Sequence, residues 1–168
     1  KFVQYFKAYR WSNILAMIKN SQLDPEICAD DFSGRLVVIT GATSGIGYST
    51  AHQYASRGAD LLCINRNPEK SEALRRGIEG AHGVRCDYLL ADLSSLRDIA
   101  HAADALLKLK PPIDVLIHNA GVYLTRREIT PDGIEKVFAV QYLASFMINY
   151  MLMDKLKSQE KARILLVN

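Results

Sequence analysis

The sequence predicts an α/β fold with a doubly wound parallel sheet, on the basis of two observations. Short runs of β-branched and aliphatic residues recur from residue 35 onward, and a stretch of helical length separates each run from the next. Residues with turn or cap character lie at the junctions. Alternating strands and helices of these lengths form right-handed β-α-β units, so ligand-binding residues are expected just after the carboxyl ends of the strands.

Five strands are predicted. The first, Leu36–Thr40, is short, continuous and β-branched, which is typical of a strand buried on both faces. The other four occupy residues 60–65, 84–90, 115–118 and 163–167. Because a domain rarely ends on a bare apolar strand, we expect the chain to be a portion of a longer polypeptide, with the sheet truncated after its fifth strand.

Cap and turn residues mark the predicted helices. The first follows a glycine turn at residues 41–47 and extends to about Ser56. The second begins at Asn67-Pro68, with Asn as the N-cap and Pro at the first helical position, and ends near Gly80.

The third helix is predicted to be capped by Ser94 or Ser95 and to reach Leu109. The fourth begins at Thr130-Pro131 and spans about residues 131–157, with no charge between residues 137 and 153. Polar residues recur along one side of it, which argues against a membrane span. A helix that is apolar around most of its circumference needs cover on two sides, so we expect it to pack on the sheet and on a second subunit, giving an oligomer.

Length and composition restrict the classes of protein to consider. The 168 residues support one full core, and 49% hydrophobic with 23% charged residues is ordinary for a soluble domain. The net charge of +3 is spread along the chain and gives no support for a nucleic-acid partner. We predict an N-terminal helical extension at residues 1–34 and one α/β domain at residues 35–168.

The extension leaves two alternatives open. Phe2, Phe6 and Tyr9 recur at helical spacing among basic residues, as in a helix that lies on a membrane surface. Apolar residues such as Trp11 and Ile14 interrupt that stripe, which favours a helix packed on the domain or on a partner. A peripheral membrane enzyme for lipid-like alcohols, anchored by residues 1–20, therefore stays an alternative.

The three cysteines predict neither a disulfide framework nor a metal site. Cys28, Cys63 and Cys86 contain no close pair such as Cys-x-x-Cys. Two of the three lie in apolar runs, so we expect buried free thiols, which favour a reducing, intracellular compartment. A cytoplasmic and a membrane-peripheral location both fit this expectation.

The first chemical signal is the glycine turn between the first strand and the first helix. Gly41, Gly45 and Gly47 follow the spacing Gly-x-x-x-Gly-x-Gly. Phosphate binding at a helix N-terminus requires backbone N–H groups that face the anion and no side chain that blocks its approach. In this strand–turn–helix context, the glycines predict a phosphate site.

The second signal is Asn65-Arg66, at the end of the second strand. At this position of a dinucleotide-binding fold, an acidic residue bonds the adenosine ribose, whereas an arginine accommodates a 2′-phosphate. The first acidic residue after this strand is Glu69, and a guanidinium pairs well with phosphate. The sequence therefore predicts NADP (NADPH) in preference to NAD.

Further signals follow the third and fourth strands. Asp92 can accept a hydrogen bond from an adenine amine, or it can serve the start of the next helix. Asn119, Ala120 and Gly121 include small residues that let the chain pass close to a cofactor, and the Asn119 amide can tie neighbouring strands together. His118, at the strand end, is expected to be structural.

In this order, the motifs resemble the short-chain dehydrogenase/reductase family. The resemblance rests on the glycine turn from Thr40 to Gly47, on Ala91-Asp92-Leu93 and on His118-Asn119-Ala120-Gly121, and it covers about residues 34–168. Residues 130–140 further resemble the retinol-dehydrogenase-like branch. The resemblance implies that residues 35–168 form a Rossmann-type NAD(P)-binding domain. It also implies reversible reduction of a carbonyl or oxidation of an alcohol, on a small-molecule substrate, and a dimer formed through the fourth helix.

The resemblance also implies, position by position, which residues bind the cofactor. Those expected to line the phosphates are Gly41, Thr43, Ser44, Gly45, Ile46 and Gly47. Those expected near the 2′-phosphate and the adenine are Asn65, Arg66, Asp92 and Leu93. Those expected beside the nicotinamide-side ribose are Asn119, Ala120 and Gly121.

Two departures from the family pattern bear on activity. The family uses a Ser after the fifth strand and a Tyr-x-x-x-Lys pair beyond it, in which the Lys lowers the pKa of the phenol. None of the eight tyrosines here has Lys four positions on, so no catalytic residue is assigned and these 168 residues alone are expected to be inactive. Gln141 stands where the family generally has an Asn that holds a proton-relay water, and its extra methylene displaces the amide.

Two functions from different classes follow. One is an NADP-dependent oxidoreductase whose catalytic Ser and Tyr-x-x-x-Lys are not in this chain. The alternative is a non-catalytic nucleotide-binding scaffold or accessory subunit of an assembly, for which the missing pair and Gln141 argue. A Tyr-x-x-x-Lys pair elsewhere in the full-length chain favours the first.

Overall fold

The computed structural model describes residue 15, residues 18–19 and residues 28–167. The chain divides into two units, residues 1–30 and residues 31–168. In the first unit, Leu15, Ile18 and Lys19 are helical and exposed. The remaining residues of the predicted membrane-contact segment, 1–20, lie outside the described residues.

The second unit contains a five-stranded parallel sheet in the order β3-β2-β1-β4-β5, which confirms the predicted doubly wound α/β class. The strands are β1 (Leu36–Thr40), β2 (Asp60–Asn65), β3 (Cys86–Leu90), β4 (Val115–His118) and β5 (Arg163–Leu166). The strand order reverses direction at β1, between β2 and β4. In open sheets of this kind, such a reversal creates a crevice at the carboxyl ends of the strands.

Helices connect the strands. They are α1 (Gly45–Ala55), α2 (Pro68–His82), α3 (Leu96–Leu107), α4 (Lys136–Phe138) and α5 (Ala144–Lys157). A π-helical segment, Ala139–Leu143, joins α4 to α5.

The sheet separates two hydrophobic cores. Val37, Val38 and Ile39 of the central strand β1 are completely buried, because β1 is covered on both faces as its β-branched run predicts. Val38 belongs to the core that contains buried residues of α3 and α5. Val37 and Ile39 belong to the core that contains buried residues of α1 and α2.

The predicted start of the fourth helix, at Thr130-Pro131, is wrong. Thr130 does not cap a helix, because residues 130–134 form a turn in which Gly133 has φ +78 and the Thr130 N–H donates to the Ile134 carbonyl at 2.8 Å. The helix begins at Lys136, where the Glu135 carboxylate caps it by accepting from two backbone N–H groups. Pro-Asp-Gly at residues 131–133 is a strong turn sequence, and here it prevails over the Thr-Pro cap signal.

Smaller differences affect other element ends. The second helix ends at His82 instead of Gly80, because Gly83 adopts φ +68 and forms the left-handed C-cap. The third helix is capped by Ser95 and ends at Leu107 instead of Leu109.

The long final helix is buried on one side and exposed on the other. Ala144, Ile148 and Leu152 of α5 are buried in the core. On the outside, aromatic rings stack along the helix with centroid separations of 5.2, 6.3 and 6.1 Å. We call this exposed set the aromatic ladder; its members are Phe138, Tyr142, Phe146 and Tyr150. Among the described residues, no helix has the length and apolar character to cross a membrane.

The cysteine prediction is confirmed for Cys63 and Cys86, which are buried free thiols on β2 and β3. Contact with Cys86, together with burial, raises the pKa of the Cys63 thiol. Cys28 is also free, and it is exposed.

Candidate functional site

A cleft of about 450 Å³ opens at the carboxyl edge of the sheet, where the loops after β1, β2, β3 and β4 meet. Its volume is in the range of small-molecule and cofactor sites. All predicted site residues line it except Gly45 and Gly47. The residues that line it without having been predicted are Ile64, Asn67, Lys70, Ala91, Val122 and Val140.

Each glycine of the first loop meets a different structural requirement. Gly41 has φ +70, and a Cβ on it would lie 2.9 Å from the Cα of Ala120, so the loops after β1 and β4 touch here. A Cβ on Gly47 would collide with the Gly41 carbonyl oxygen and the Asn119 side chain. Gly45 has φ +56 and open space around its Cβ position. Gly45 and Gly47 therefore shape the loop, although they do not line the cleft.

The N-terminus of α1 lies at this loop, and no side chain of its cap or first turn neutralises the positive end of the helix dipole. The N-cap Ser44 has extended backbone and makes no side-chain cap hydrogen bond, and the first turn contains no acidic residue. The positive end of the helix dipole is therefore available to an anion, and Thr43, Ser44 and Ile46 line the cleft beside it.

Thr40 and Asn119 hold the loops after β1 and β4 together. The Thr40 hydroxyl accepts from the backbone N–H groups of Asn119 and Ala120, each at 3.0 Å. Asn119 Nδ2 donates to the carbonyls of Thr40 and Gly41 at 3.2 and 3.1 Å. The predicted role of the Asn119 amide as a tie between strands is confirmed. Thr40 was not predicted as a site residue; a hydroxyl residue at the end of a buried strand is the signal that points to it.

At the end of β2, Asn65 and Arg66 differ sharply in exposure. Asn65 is 3% exposed, and its Oδ1 accepts from the backbone N–H of Ala42 at 2.9 Å. Its Nδ2 is buried without a hydrogen-bond partner. Arg66 is exposed and lines the cleft. Asn65 thus supports the glycine loop through a hydrogen bond, while Arg66 is an exposed residue at the edge of the cleft.

Asp92 serves the start of α3 and also lines the cleft. Its Oδ1 accepts from the backbone N–H and the hydroxyl of Ser94, at 2.9 and 2.8 Å, as the helix-start alternative predicted. The Asp92 N–H donates to Asp98, and this bond lowers the pKa of the Asp98 carboxyl. Leu93, which is 8% exposed, forms an apolar wall next to Asp92.

The polar side of the final helix meets β4 and its loop. Gln141, in the π-helical segment, places Nε2 3.5 Å from the point that a Cβ on Gly121 would occupy. His118 is buried, and its Nε2 donates to Asn149 Oδ1 at 2.8 Å. Burial lowers the pKa of His118, and the bond to Asn149 opposes this effect. These contacts agree with a structural role for His118.

The sequence is similar to two named oxidoreductases. It is 38% identical over 135 residues to retinol dehydrogenase 13 of Homo sapiens, covering 79% of this chain and 40% of the relative. It is 37% identical over 139 residues to the WW domain-containing oxidoreductase of Homo sapiens, covering 82% of this chain and 34% of the relative. The chain thus spans only about a third to two-fifths of the length of these curated relatives.

The fold is similar to solved structures of the same kind. A short-chain dehydrogenase from Sphingobium yanoikuyae in complex with NADPH has a TM-score of 0.70 and 30% identity, covering 77% of this chain and 51% of that one. A metagenomic short-chain oxidoreductase in complex with NADP also has a TM-score of 0.70, with 29% identity, covering 80% of this chain and 62% of that one. Residues 35–168 match the family model described as short chain dehydrogenase. The chain is a member of the short-chain dehydrogenase/reductase family.

Proposed function

We propose that this chain is the cofactor-binding part of an NADP-dependent oxidoreductase that interconverts a small-molecule alcohol and its carbonyl compound. The observation that carries the proposal is the position of Arg66, an exposed arginine that lines the cleft at the end of β2. Asn65 and Asn67 flank it, so no carboxylate competes for it at the position that selects a free ribose hydroxyl. The similar structures with NADPH and NADP support this choice of cofactor.

The residues of the cleft fit a phosphorylated dinucleotide. The N-terminus of α1 has no acidic residue in its first turn, and a Cβ at Gly45 would meet open space, so a pyrophosphate has access to the backbone of residues 41–47. The orphan Nδ2 of Asn65 is a donor without an acceptor. In this arrangement Arg66 would hold the 2′-phosphate, and residues 119–121 would adjoin the nicotinamide-side ribose. When bound, the cofactor supplies or accepts a hydride.

We propose that these 168 residues bind the cofactor without turning over substrate, because no Tyr-x-x-x-Lys pair is among them. Their role in the proposed reaction is to bind the dinucleotide at the carboxyl edge of the sheet. Thr40 and Asn119 hold the loops after β1 and β4 together by hydrogen bonds, which keeps the binding cleft in shape.

The cofactor assignment is tested by Arg66→Asp in the full-length protein, with dissociation constants for NADPH and NADH measured by fluorescence titration. We expect the variant to lose at least tenfold in NADPH affinity and to keep or improve its NADH affinity, because a carboxylate repels the 2′-phosphate and suits a ribose hydroxyl. An unchanged ratio of the two constants would remove Arg66 from the proposal.

A second candidate function, a non-catalytic nucleotide-binding scaffold, is favoured by Gln141. Its Nε2 lies beside Gly121, where the amide of a shorter side chain would not reach in the same way. The two candidates separate on turnover by the full-length protein with NADPH and a panel of aldehydes and ketones. If the unmodified protein binds NADPH tightly without turnover, and Gln141→Asn restores turnover, the result supports the scaffold. Turnover by the unmodified protein supports the enzyme.

We also propose that the aromatic ladder packs against a second copy of the protein. Four large rings in a row are exposed on a helix whose other side is already buried, and interfaces are enriched in aromatic residues of this kind. The predicted oligomer then forms through this helix.

A further inference from the structure

We propose that His52 and His82 form a binding site for one divalent transition-metal ion such as Zn²⁺ or Cu²⁺. His52 lies in the last turn of α1, and His82 is the last residue of α2. Neither lines the cleft, and the length of α2 puts His82 about 21 Å along the helix axis from Pro68, which follows the cleft residue Asn67. The site is therefore separate from the proposed cofactor site and does not depend on the proposed function.

The facing ring nitrogens have the spacing of two ligands of one metal ion. His52 Nδ1 and His82 Nε2 are hydrogen-bonded at 3.0 Å, and the two rings meet edge to face at 70°. Metal–nitrogen bonds of about 2.0–2.1 Å, at angles of about 90–110°, place two nitrogen ligands about 2.9–3.4 Å from each other. The pair could therefore hold an ion with little change in the separation of its nitrogens, once the rings turn both lone pairs toward it.

Packing holds the two imidazoles in this position. Ala51 of α1 and Ile78 of α2 are completely buried in the same core, which fixes the two helices against each other. The ring of Tyr48, one turn before His52, packs against the His52 ring with a centroid separation of 4.5 Å. An ion would thus find its two protein ligands already ordered, which lowers the entropic cost of binding.

The surroundings of the pair favour a cation, and its ligand type favours a transition metal. Both histidines lie in the last turn of a helix, where the negative end of the helix dipole attracts positive charge. Imidazole nitrogen is a good ligand for Zn²⁺, Cu²⁺ and Ni²⁺, whereas Mg²⁺ and Ca²⁺ prefer oxygen. The pair therefore selects a transition metal over the hard divalent cations.

Two protein ligands leave the site open to solvent. Among the described residues, no group of three or more His, Cys, Asp or Glu side chains is placed to hold a metal ion, so water would complete the coordination. In the metal-bound pair each neutral ring carries its proton on the outer nitrogen. For His52 this atom, Nε2, is buried without a hydrogen-bond partner, which costs free energy. We therefore expect an exchangeable ion of moderate affinity.

The experiment compares the metal-free full-length protein with three variants. His52→Gln and His82→Gln each remove one ligand, and the matched control, His101→Gln, removes an exposed histidine of α3. Isothermal titration calorimetry measures Zn²⁺, Cu²⁺ and Mg²⁺ binding. Electron paramagnetic resonance of the Cu²⁺ form counts its nitrogen ligands. Circular dichroism verifies the fold, and His82→Gln is the milder variant because it changes only the last residue of α2.

We expect each ligand variant to weaken one Zn²⁺ and Cu²⁺ site by at least about tenfold, because a single protein ligand is left. Two imidazole nitrogens should couple to Cu²⁺ in the unmodified protein and one in His82→Gln. His101→Gln should keep its Zn²⁺ affinity within about twofold, because it leaves both ligands in place. Mg²⁺ affinity should be the same in all four proteins.

Several outcomes would overturn the proposal. They are undetectable Zn²⁺ and Cu²⁺ binding by the unmodified protein, unchanged affinity in both ligand variants, an equal loss in His101→Gln, and a Cu²⁺ spectrum that His82→Gln does not alter. NADPH binding by the same proteins tests the proposed function separately. A protein that binds Zn²⁺ through this pair without binding NADPH would contradict the proposed function and leave the metal site standing.

Discussion

Asn65 and Ala42 are joined by a hydrogen bond of 2.9 Å, in which the Ala42 backbone N–H donates to the buried Oδ1 of Asn65. This bond connects the end of β2 to the glycine loop after β1. On its other side, the loop is held by the Asn119 amide, which donates to the Gly41 carbonyl at 3.1 Å. Two asparagines, one at the end of β2 and one just after β4, therefore fix the loop that faces the cleft from the two strands that flank β1.

Replacing Asn65 by Ala should destabilise the protein by about 1–3 kcal/mol, because the buried Ala42 N–H is left without an acceptor. NADPH affinity should fall as well, since the loop loses one of its two supports. Chemical denaturation followed by circular dichroism measures the first effect. The control is Thr43→Ala in the same loop, which should change stability by less than about 0.5 kcal/mol; equal effects of the two substitutions would contradict the role of the hydrogen bond.

Alanine at Gly47 and at Gly80 should have opposite effects. Gly47→Ala forces a Cβ into the Gly41 carbonyl and the Asn119 amide, so we expect a loss of about 1–3 kcal/mol together with weaker NADPH binding. Gly80 lies within α2 with open space at its Cβ position, so Gly80→Ala should stabilise by about 0.5–1 kcal/mol. Thermal unfolding of both variants checks the signs, and a neutral Gly47→Ala would exclude the packing requirement described here.

Stability should decrease as the pH falls below about 6.5. Burial lowers the pKa of His52, with a further contribution from His82, and burial lowers the pKa of His118 below the ordinary 6.5. Below pH 6.5 the unfolded chain therefore binds more protons at these two sites than the folded chain does. Their contribution is complete above that pH and is lost as the pH falls toward the folded-state pKa values.

The measurement for the histidines is the free energy of unfolding between pH 8 and pH 5. Replacing both His52 and His118 by Gln should flatten the profile in this interval, although it lowers stability at every pH through the lost contacts. A slope that persists unchanged in the double variant would assign the pH dependence to other groups.

Charge placed in the aromatic ladder should dissociate the proposed oligomer. Tyr142→Lys and Phe146→Glu alter exposed rings, which are 58% and 53% exposed, so they should leave the fold intact and shift the protein to its monomer in sedimentation velocity. Leu107→Lys is the control, because Leu107 is an exposed apolar residue of α3 outside the ladder. A monomeric unmodified protein, or an oligomer that survives both ladder substitutions, would refute the proposed interface.

The sheet was predictable from the sequence because β1 and β2 are short apolar runs between strong turn signals. Residues 36–40 and 60–65 were predicted with the bounds that the structure has. The glycine turn and Asn119 could be placed because their residue types meet rigid backbone requirements. The predicted residues after four strands converge on one cleft for the same topological reason.

Other features were not predictable because local sequence signals overlap or because tertiary contacts decide between them. At Thr130 a Thr-Pro helix start and a Pro-Asp-Gly turn overlap, and the tertiary hydrogen bond from the Leu96 N–H to Asp132 favours the turn. Asn65 was predicted beside the cofactor; it lines the cleft, but the hydrogen bond that its Oδ1 accepts from the Ala42 N–H could not be foreseen from the residue type. Lys70 was not predicted to line the cleft because a lone lysine on a helix forms no pattern in the sequence.

The most direct test of the central claim is the crystal structure of the full-length protein with NADPH. We predict electron density for the pyrophosphate against the backbone of residues 41–47 and for the 2′-phosphate within hydrogen-bond distance of Arg66. Density for the dinucleotide at another surface, or a cleft that stays empty of NADPH at saturating concentration, would contradict the assignment.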